Sequence, residues 1–226
     1  MLELLLTVAL LLAAFAVRRA SSHRETRWRG GLFFDARARE VLRGRTRRGR
    51  YWAARTSDVL FYTLVVYPGF VDGLLVCFVV QGDWWQASQV FLLDLEGFTA
   101  SAFVMFALQR YVSRERPYAT FPDEGVYAPV YPERFRSFFS GHAASAFTGA
   151  TLILLHHLYV PVLGAAWHLA VTVACFAAAT AVALLRVVCD RHWLTDALTG
   201  MIVGIGCGWL VPAILHGGAG RLLHGG

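Results

Sequence analysis

Six apolar stretches separated by short polar segments run along the chain, and each is long enough to form a membrane-spanning helix. A helix needs about 20 mostly apolar residues to cross a bilayer, with a range of roughly 17–25. The pattern therefore predicts an all-α protein, an integral membrane six-helix bundle. The predicted spans are Met1–Val17, Leu60–Val80, Val90–Leu108, Ala143–Tyr159, Ala165–Leu185 and Leu194–Leu215.

Charge divides the chain into four predicted regions. Residues 1–17 form an N-terminal membrane anchor, because arginines follow this stretch instead of preceding it as in a signal peptide. Residues 18–57 form an Arg-rich segment with interleaved aromatic residues, which favours an amphipathic interfacial segment on an anionic membrane surface between spans 1 and 2. Residues 58–215 form a five-span core, and residues 216–226 a flexible tail.

Composition supports the membrane assignment. Hydrophobic residues make up 57% of the 226 positions and charged residues 16%, against about 45–50% and 25% in soluble domains. All 21 basic residues are arginine, and 13 of them lie between Arg18 and Arg55. A nucleic-acid-binding arm is the alternative interpretation of this segment, but the neighbouring spans disfavour it, so we expect membrane lipids and no nucleic acid as partners.

With alternating spans, the polar loops that carry candidate chemistry share one membrane face. These loops are residues 18–58, 110–139 and 186–193. Loops rich in arginine tend to stay in the cytoplasm, and this face carries 20 of the 21 arginines. The charge pattern therefore favours a site that faces the cytoplasm.

Three motifs on this face suggest phosphate chemistry: Gln109–Pro117, Ser140–His142 and Arg186–Asp196. Arginine side chains match phosphate oxygens with their planar donors, and a helix N-terminus binds anions. His192 and Asp196 are four residues apart, so we expect the carboxylate to hold one imidazole nitrogen and leave the other as nucleophile. His142 is an independent acid or base.

These motifs resemble those of the type 2 phosphatidic acid phosphatase superfamily, which shares its core with vanadium haloperoxidases. The family motifs are Lys-x6-Arg-Pro, Pro-Ser-Gly-His and Ser-Arg-x5-His-x3-Asp. The matching residues are Arg116 and Pro117, Ser140 to His142, and Arg186, His192 and Asp196. Three positions depart from the pattern: Gln109 replaces Lys, Phe139 replaces Pro and Leu185 replaces Ser. We expect Arg110 to supply the missing cation.

The resemblance implies a lipid phosphate phosphatase that acts on a phosphomonoester or diphosphate through a phosphohistidine, with no cofactor and no metal ion. His192 is expected to attack phosphorus, Asp196 to orient it, and His142 to protonate the leaving alkoxide and then activate water. The phosphate oxygens are expected to be held by Arg116, Arg186, Arg110, Ser140 and Gly141, with Gln109 at the position of the family's lysine.

Two alternatives stay open at this level: a lipid phosphotransferase that uses the same phosphohistidine, and a catalytically inactive relative that binds lipid. The residues do not specify the lipid or the oligomeric state. The expected location is the bacterial cytoplasmic membrane, as a multi-pass protein. The family's catalytic face generally lies outside the cytoplasm, which opposes the orientation that the arginine distribution favours.

Overall fold

The computed structural model describes residues 2–20, 27–121, 133–160 and 164–218, and these ranges are helical apart from loops and one isolated bridge between Trp28 and Arg114. The helices are α1 Leu2–Ala20, α2 Asp35–Leu42, α3 Arg47–Tyr67, α4 Trp84–Val112, α5 Pro117–Thr120, α6 Gly141–Tyr159, α7 Ala165–Val188 and α8 Leu194–His216. A 3₁₀ turn spans Glu133–Phe135, and α3 continues as a π-helix over Pro68–Val80.

Each predicted apolar stretch coincides with a helix, but only some of these helices resemble membrane spans by length and composition. Four described helices qualify: Arg47–Val80, Trp84–Val112, Ala166–Val188 and Leu194–His216. Helices α1 and α6 are not among them. Four candidate spans support a multi-pass membrane protein, whereas the predicted count of six is not confirmed.

Helix α6 lies at the centre of the bundle and packs against α3, α4, α7 and α8. Its contact with α8 is a backbone contact, because glycines on α8 face it. A Cβ added at Gly200 would lie 2.6 Å from the Ser140 carbonyl oxygen, and one at Gly204 would lie 2.2 Å from the Ala144 carbonyl oxygen. Small residues allow helices of membrane proteins to approach this closely.

The Arg-rich segment forms part of a long helix and packs against the bundle, and the sequence predicted neither feature. Helix α3 begins at Arg47, well before the predicted span at Leu60, so part of this segment belongs to a long helix. Helix α2 packs against α7 and α8 with Asp35 buried. The segment therefore contacts the protein, and an interfacial role on the membrane is not confirmed.

Acidic residues inside the helices are paired with histidines. His156 lies between Asp72 and Asp94, with nitrogen–oxygen distances of 3.1 and 3.3 Å. His216 lies 2.7 Å from Glu96. These pairs cross between helices, so they offset part of the cost of burying charge in an apolar environment.

Parts of five predicted regions lie outside the described residues. They are residue 1 of the anchor, residues 21–26 of the Arg-rich segment, residues 122–132 of the long loop after α5, residues 161–163 of the turn after α6, and residues 219–226 of the tail.

Candidate active site

A cavity of about 420 Å³ opens at one end of the bundle, and its lining is both apolar and charged. Its apolar lining includes Phe61, Met105 and Phe106. Guanidinium groups and both motif histidines line the same cavity: Arg18, Arg116, Arg136, Arg186, Arg191, His142 and His192. Glu133 is the acidic residue among the described residues that line it. The cavity therefore suits an amphiphile with an anionic head.

His192 is held in one tautomer by the backbone. Its Nδ1 lies 2.9 Å from the Ser137 carbonyl oxygen, and the residue is only 2% exposed. Because a carbonyl oxygen only accepts hydrogen bonds, Nδ1 carries the proton and Nε2 keeps its lone pair. Burial lowers the pKa of His192 well below its usual value, and the positive charges of Arg116 and Arg186 lower it further. The His192 ring is therefore neutral, and its Nε2 lone pair can act as a nucleophile.

The predicted hydrogen bond between His192 and Asp196 is absent from this geometry, since Nδ1 and Oδ2 are 3.8 Å apart. Helix α8 begins only at Leu194, so His192 lies in the preceding loop, where the four-residue helical spacing does not apply. Asp196 instead caps the helix by accepting from the Trp193 backbone amide at 2.9 Å. It also accepts from the Ser137 hydroxyl, so Ser137 links Asp196 to His192.

His142, in the first turn of α6, contacts an acid that the motif analysis missed. Its Nε2 lies 3.1 Å from Asp58 Oδ1, and the same oxygen accepts a 2.9 Å hydrogen bond from Arg186 Nη1. Asp58 thus joins two of the three motifs from helix α3. The available signal was its position, an acid that follows an arginine run and begins an apolar run.

Ser140 and Gly141 shape the start of α6. The Ser140 hydroxyl accepts from the Ala143 amide at 3.4 Å and so caps the helix, as its motif predicts. A Cβ at Gly141 would lie 2.1 Å from the sulfur of Met105 on α4. Gly141 lines the cavity, so its missing side chain lets this helix end approach both α4 and a ligand.

The two motif arginines have different surroundings. Arg116 donates to the carbonyl oxygens of Glu133, Arg191 and Arg136 at 2.8, 3.3 and 3.2 Å, and therefore ties the loops around the cavity together. Burial lowers the pKa of Arg116. Arg186 uses Nη1 on Asp58, while its Nε is buried with no hydrogen-bond partner among the described residues. The Arg186 guanidinium, which lines the cavity, therefore keeps hydrogen-bonding capacity that its described neighbours do not use.

The prediction that Arg110 replaces the family's lysine does not fit the cavity. Gln109 lines it and donates from Nε2 to the Phe139 carbonyl at 3.2 Å, whereas Arg110 is not among its described lining residues. Successive helical residues point about 100° apart, so the neighbour of an inward-facing residue faces elsewhere. The additional cations come from positions that the motifs do not specify: Arg18, Arg136 and Arg191.

No cluster of three or more His, Cys, Asp or Glu side chains suited to a metal ion occurs in the part of the chain that the structure describes. The side chains gathered at the cavity are donors and titratable groups for an anion. They suit binding of a phosphoryl group and transfer of a proton to or from it.

The chain matches a known protein family. The model of the PAP2 superfamily matches residues 92–217. The crystal structure of a transmembrane PAP2 type phosphatidylglycerolphosphate phosphatase from Bacillus subtilis is similar, with 20% identity and a TM-score of 0.59. That alignment covers 94% of this chain and 93% of the other.

The crystal structure of Aquifex aeolicus LpxE is also similar, with 18% identity and a TM-score of 0.52. This alignment covers 77% of this chain and 90% of LpxE. At these sequence identities, the similarity to both crystal structures shows a shared fold and nothing finer. No curated protein matches the sequence.

Proposed function

The chain belongs to the PAP2 superfamily, and on this basis we propose that it is a membrane lipid phosphate phosphatase that works through a phosphohistidine without a metal ion. The observation that carries the proposal is the cavity that brings His142 and His192 together. Arginine and apolar side chains line this same cavity, at the end of a bundle with candidate membrane spans. A lipid phosphate has the matching chemistry, a dianionic head on an apolar chain.

In the first step Nε2 of neutral His192 attacks phosphorus, and the bond to the lipid oxygen breaks. His142 in its protonated form gives a proton to the leaving alkoxide. With Nε2–H held by Asp58 at 3.1 Å, the Nδ1–H of His142 is the proton left to donate. In the second step neutral His142 takes a proton from water, which attacks the phosphohistidine and releases phosphate.

The donors around the cavity stabilise the charge that develops on the phosphoryl oxygens. Arg186, Arg116 and the start of α6 at Gly141, which all line the cavity, carry this role in the proposed mechanism, and Ser140 caps that helix end. Fixed donors in a site of low dielectric contribute most to such a transition state. Asp196 acts on His192 through Ser137, which replaces the direct contact expected from spacing.

The proposal is tested by phosphate release from purified protein in detergent micelles. The panel is phosphatidic acid, phosphatidylglycerolphosphate and a polyprenyl diphosphate, with a water-soluble phosphomonoester as control. We expect release from at least one lipid, unchanged by EDTA, and one labelled oxygen in the phosphate when the reaction runs in ¹⁸O-water. Loss of activity in EDTA that magnesium restores would contradict the metal-free mechanism, and transfer to an added alcohol would favour the phosphotransferase.

Gln109 and Arg110 provide a paired prediction. Gln109→Ala should lower kcat/KM about fivefold, because it removes a buried hydrogen bond worth about 1 kcal/mol that holds the Phe139 carbonyl beside Ser140. Arg110→Ala should leave kcat/KM unchanged, since the neighbouring side chain does not line the cavity. The measurement is the initial rate on the best lipid of the panel. A severe loss in Arg110→Ala with an unaffected Gln109→Ala would reverse this assignment.

A further inference from the structure

The loop between α7 and α8, residues 189–193, carries His192, and we call it the nucleophile loop. Its first half is held from outside by helix α2. Asp190 accepts hydrogen bonds from Arg39 Nε at 2.7 Å and Arg39 Nη2 at 2.8 Å, and Arg43 Nε lies 3.2 Å away. Asp190 adopts a left-handed backbone conformation, with φ of 65°. Such a conformation persists where surrounding contacts fix it.

The same helix holds the residues that follow the nucleophile loop. Asp35, the first residue of α2, accepts from the Thr195 amide at 2.8 Å and from the Thr195 hydroxyl at 2.6 Å. Asp35 also accepts from Arg114 Nη2 at 2.7 Å. Arg114 Nη1 in turn donates to Asp196 at 2.6 Å. One short helix therefore fixes the backbone on both sides of His192.

Arg114, Asp35 and Asp196 form a buried unit, since the side chain of each is 0% exposed. The Arg114 guanidinium lies over the rings of Trp28 and Trp193, at 4.4 and 5.3 Å from their centroids. Buried charge-assisted hydrogen bonds are strong and geometrically restrictive. This unit therefore favours one position of Asp196 and, through Ser137, one position of the His192 ring.

We propose that α2 is a clamp that positions the nucleophile, with Asp35 and Arg39 as positioning residues; the catalytic meaning of the clamp rests on the function proposed above. Two residues of the Arg-rich segment then position the nucleophile loop, although neither touches the cavity. The His192 ring makes one hydrogen bond among the described residues, to the Ser137 carbonyl, so the position of the ring relative to the cavity depends on the loop that carries it. A displacement of about 1 Å of a reacting group can cost about 100-fold in rate.

The test compares single substitutions on α2. Asp35→Asn removes a charge and places an amide NH₂ group, itself a donor, against the donors of Arg114 and Thr195. We expect kcat of this variant to fall about 100-fold. Arg39→Gln loosens only the Asp190 side, and we expect kcat to fall about tenfold. In both variants KM should change less than about threefold, because the lining residues outside the nucleophile loop, Arg186 and Gly141 among them, are unchanged. Arg37→Gln is the matched control, since it removes one exposed charge from the same helix.

A second measurement does not depend on turnover. Diethyl pyrocarbonate modifies neutral imidazoles, and mass spectrometry gives the rate at each histidine. His192 should react slowly in the wild type, because it is 2% exposed, and several times faster in Arg39→Gln and Asp35→Asn. His168, at the far end of the bundle near the start of α7, serves as the internal reference and should react equally in all variants.

The outcomes separate the two proposals. Faster modification of His192 together with lower kcat supports the clamp. Wild-type kcat and wild-type modification in Arg39→Gln, in a folded protein, would overturn it. If the wild type releases phosphate from no lipid, the function proposal fails, while the modification rates still decide whether α2 holds the loop.

Discussion

Replacing His192 with alanine is expected to abolish turnover, with a fall in kcat of about 10⁴-fold or more, as found when a nucleophile is removed. The substitution removes the nitrogen that forms the bond to phosphorus, and the positively charged arginines that line the cavity are not nucleophiles. The measurement is phosphate release at saturating lipid, together with trapping of the phosphoenzyme from ³²P-labelled substrate by quenching in base. The trapped species should be present in the wild type and absent from the variant.

His142→Ala is the informative comparison. In this variant attack by His192 is still possible, but the leaving oxygen and the attacking water lose their proton partner. The second step should therefore be slow, and phosphoenzyme trapped from a substrate with a good leaving group should accumulate. Full activity in His192→Ala, or a phosphoenzyme that survives that substitution, would end the phosphohistidine mechanism.

The pKa of His192 gives this prediction a pH dependence. An ordinary histidine is half protonated near pH 6.5, where its nucleophilic form is already being lost. Because burial and the nearby arginines lower the pKa of His192, its ring stays neutral as the pH falls through 6.5. Any acid limb of the rate profile that is due to the nucleophile should therefore lie below pH 6.5.

The second large effect is expected from Arg114→Met, which should lower the free energy of unfolding by about 3–5 kcal/mol. Methionine approximates the length of the side chain but leaves Asp35 and Asp196 buried close together without their shared cation. The carboxyl group of Asp35 would keep only its bonds to Thr195 and the Leu32 amide. Thermal unfolding in detergent micelles measures the loss.

Arg134→Met is the matched control, because it breaks a 2.7 Å pair with Glu115 in which the arginine is 31% exposed. A partly exposed pair of this kind contributes about 1 kcal/mol or less. Adding Asp35→Asn to Arg114→Met should recover part of the stability, since one uncompensated charge is removed. If Arg114→Met unfolds like the wild type, the buried unit does not have the energetic weight assigned to it.

Much of this arrangement was predictable because it depends on local pattern. The apolar periodicity marks helices that occur in the structure, and the three motifs meet at one cavity because spans alternate in direction. Ser140 caps its helix, as a serine before a helix start predicts. The PAP2 resemblance, carried by the same motifs, is confirmed by the family model.

The errors and omissions have physical causes that spacing does not encode. The predicted hydrogen bond between His192 and Asp196 was wrong because His192 lies two residues before α8. The start of α8 at Leu194 agrees with the predicted span, so the four-residue helical spacing was applied to a residue of the preceding loop. The roles of Asp58 and Asp35 depend on long-range packing, since their partners lie more than 75 positions away along the chain. An acid within an arginine run is ordinarily a solvated residue, and only the tertiary structure distinguishes these two.

The glycine contact between α6 and α8 fixes the distance between the catalytic histidines independently of the residues that would contact a lipid tail. His142 begins α6, and the nucleophile loop leads into α8, so backbone against backbone at Gly200 and Gly204 sets how far apart the two histidines lie. Because main-chain atoms hold this distance, it does not depend on side-chain rotamers and fluctuates little. Phe61 on α3 packs against the His142 ring, with 4.5 Å between the ring centroids, so it belongs to the catalytic geometry. Phe106 on α4 lines the cavity outside the glycine contact, so it can be exchanged to fit other lipid tails without a change in the spacing of the histidines.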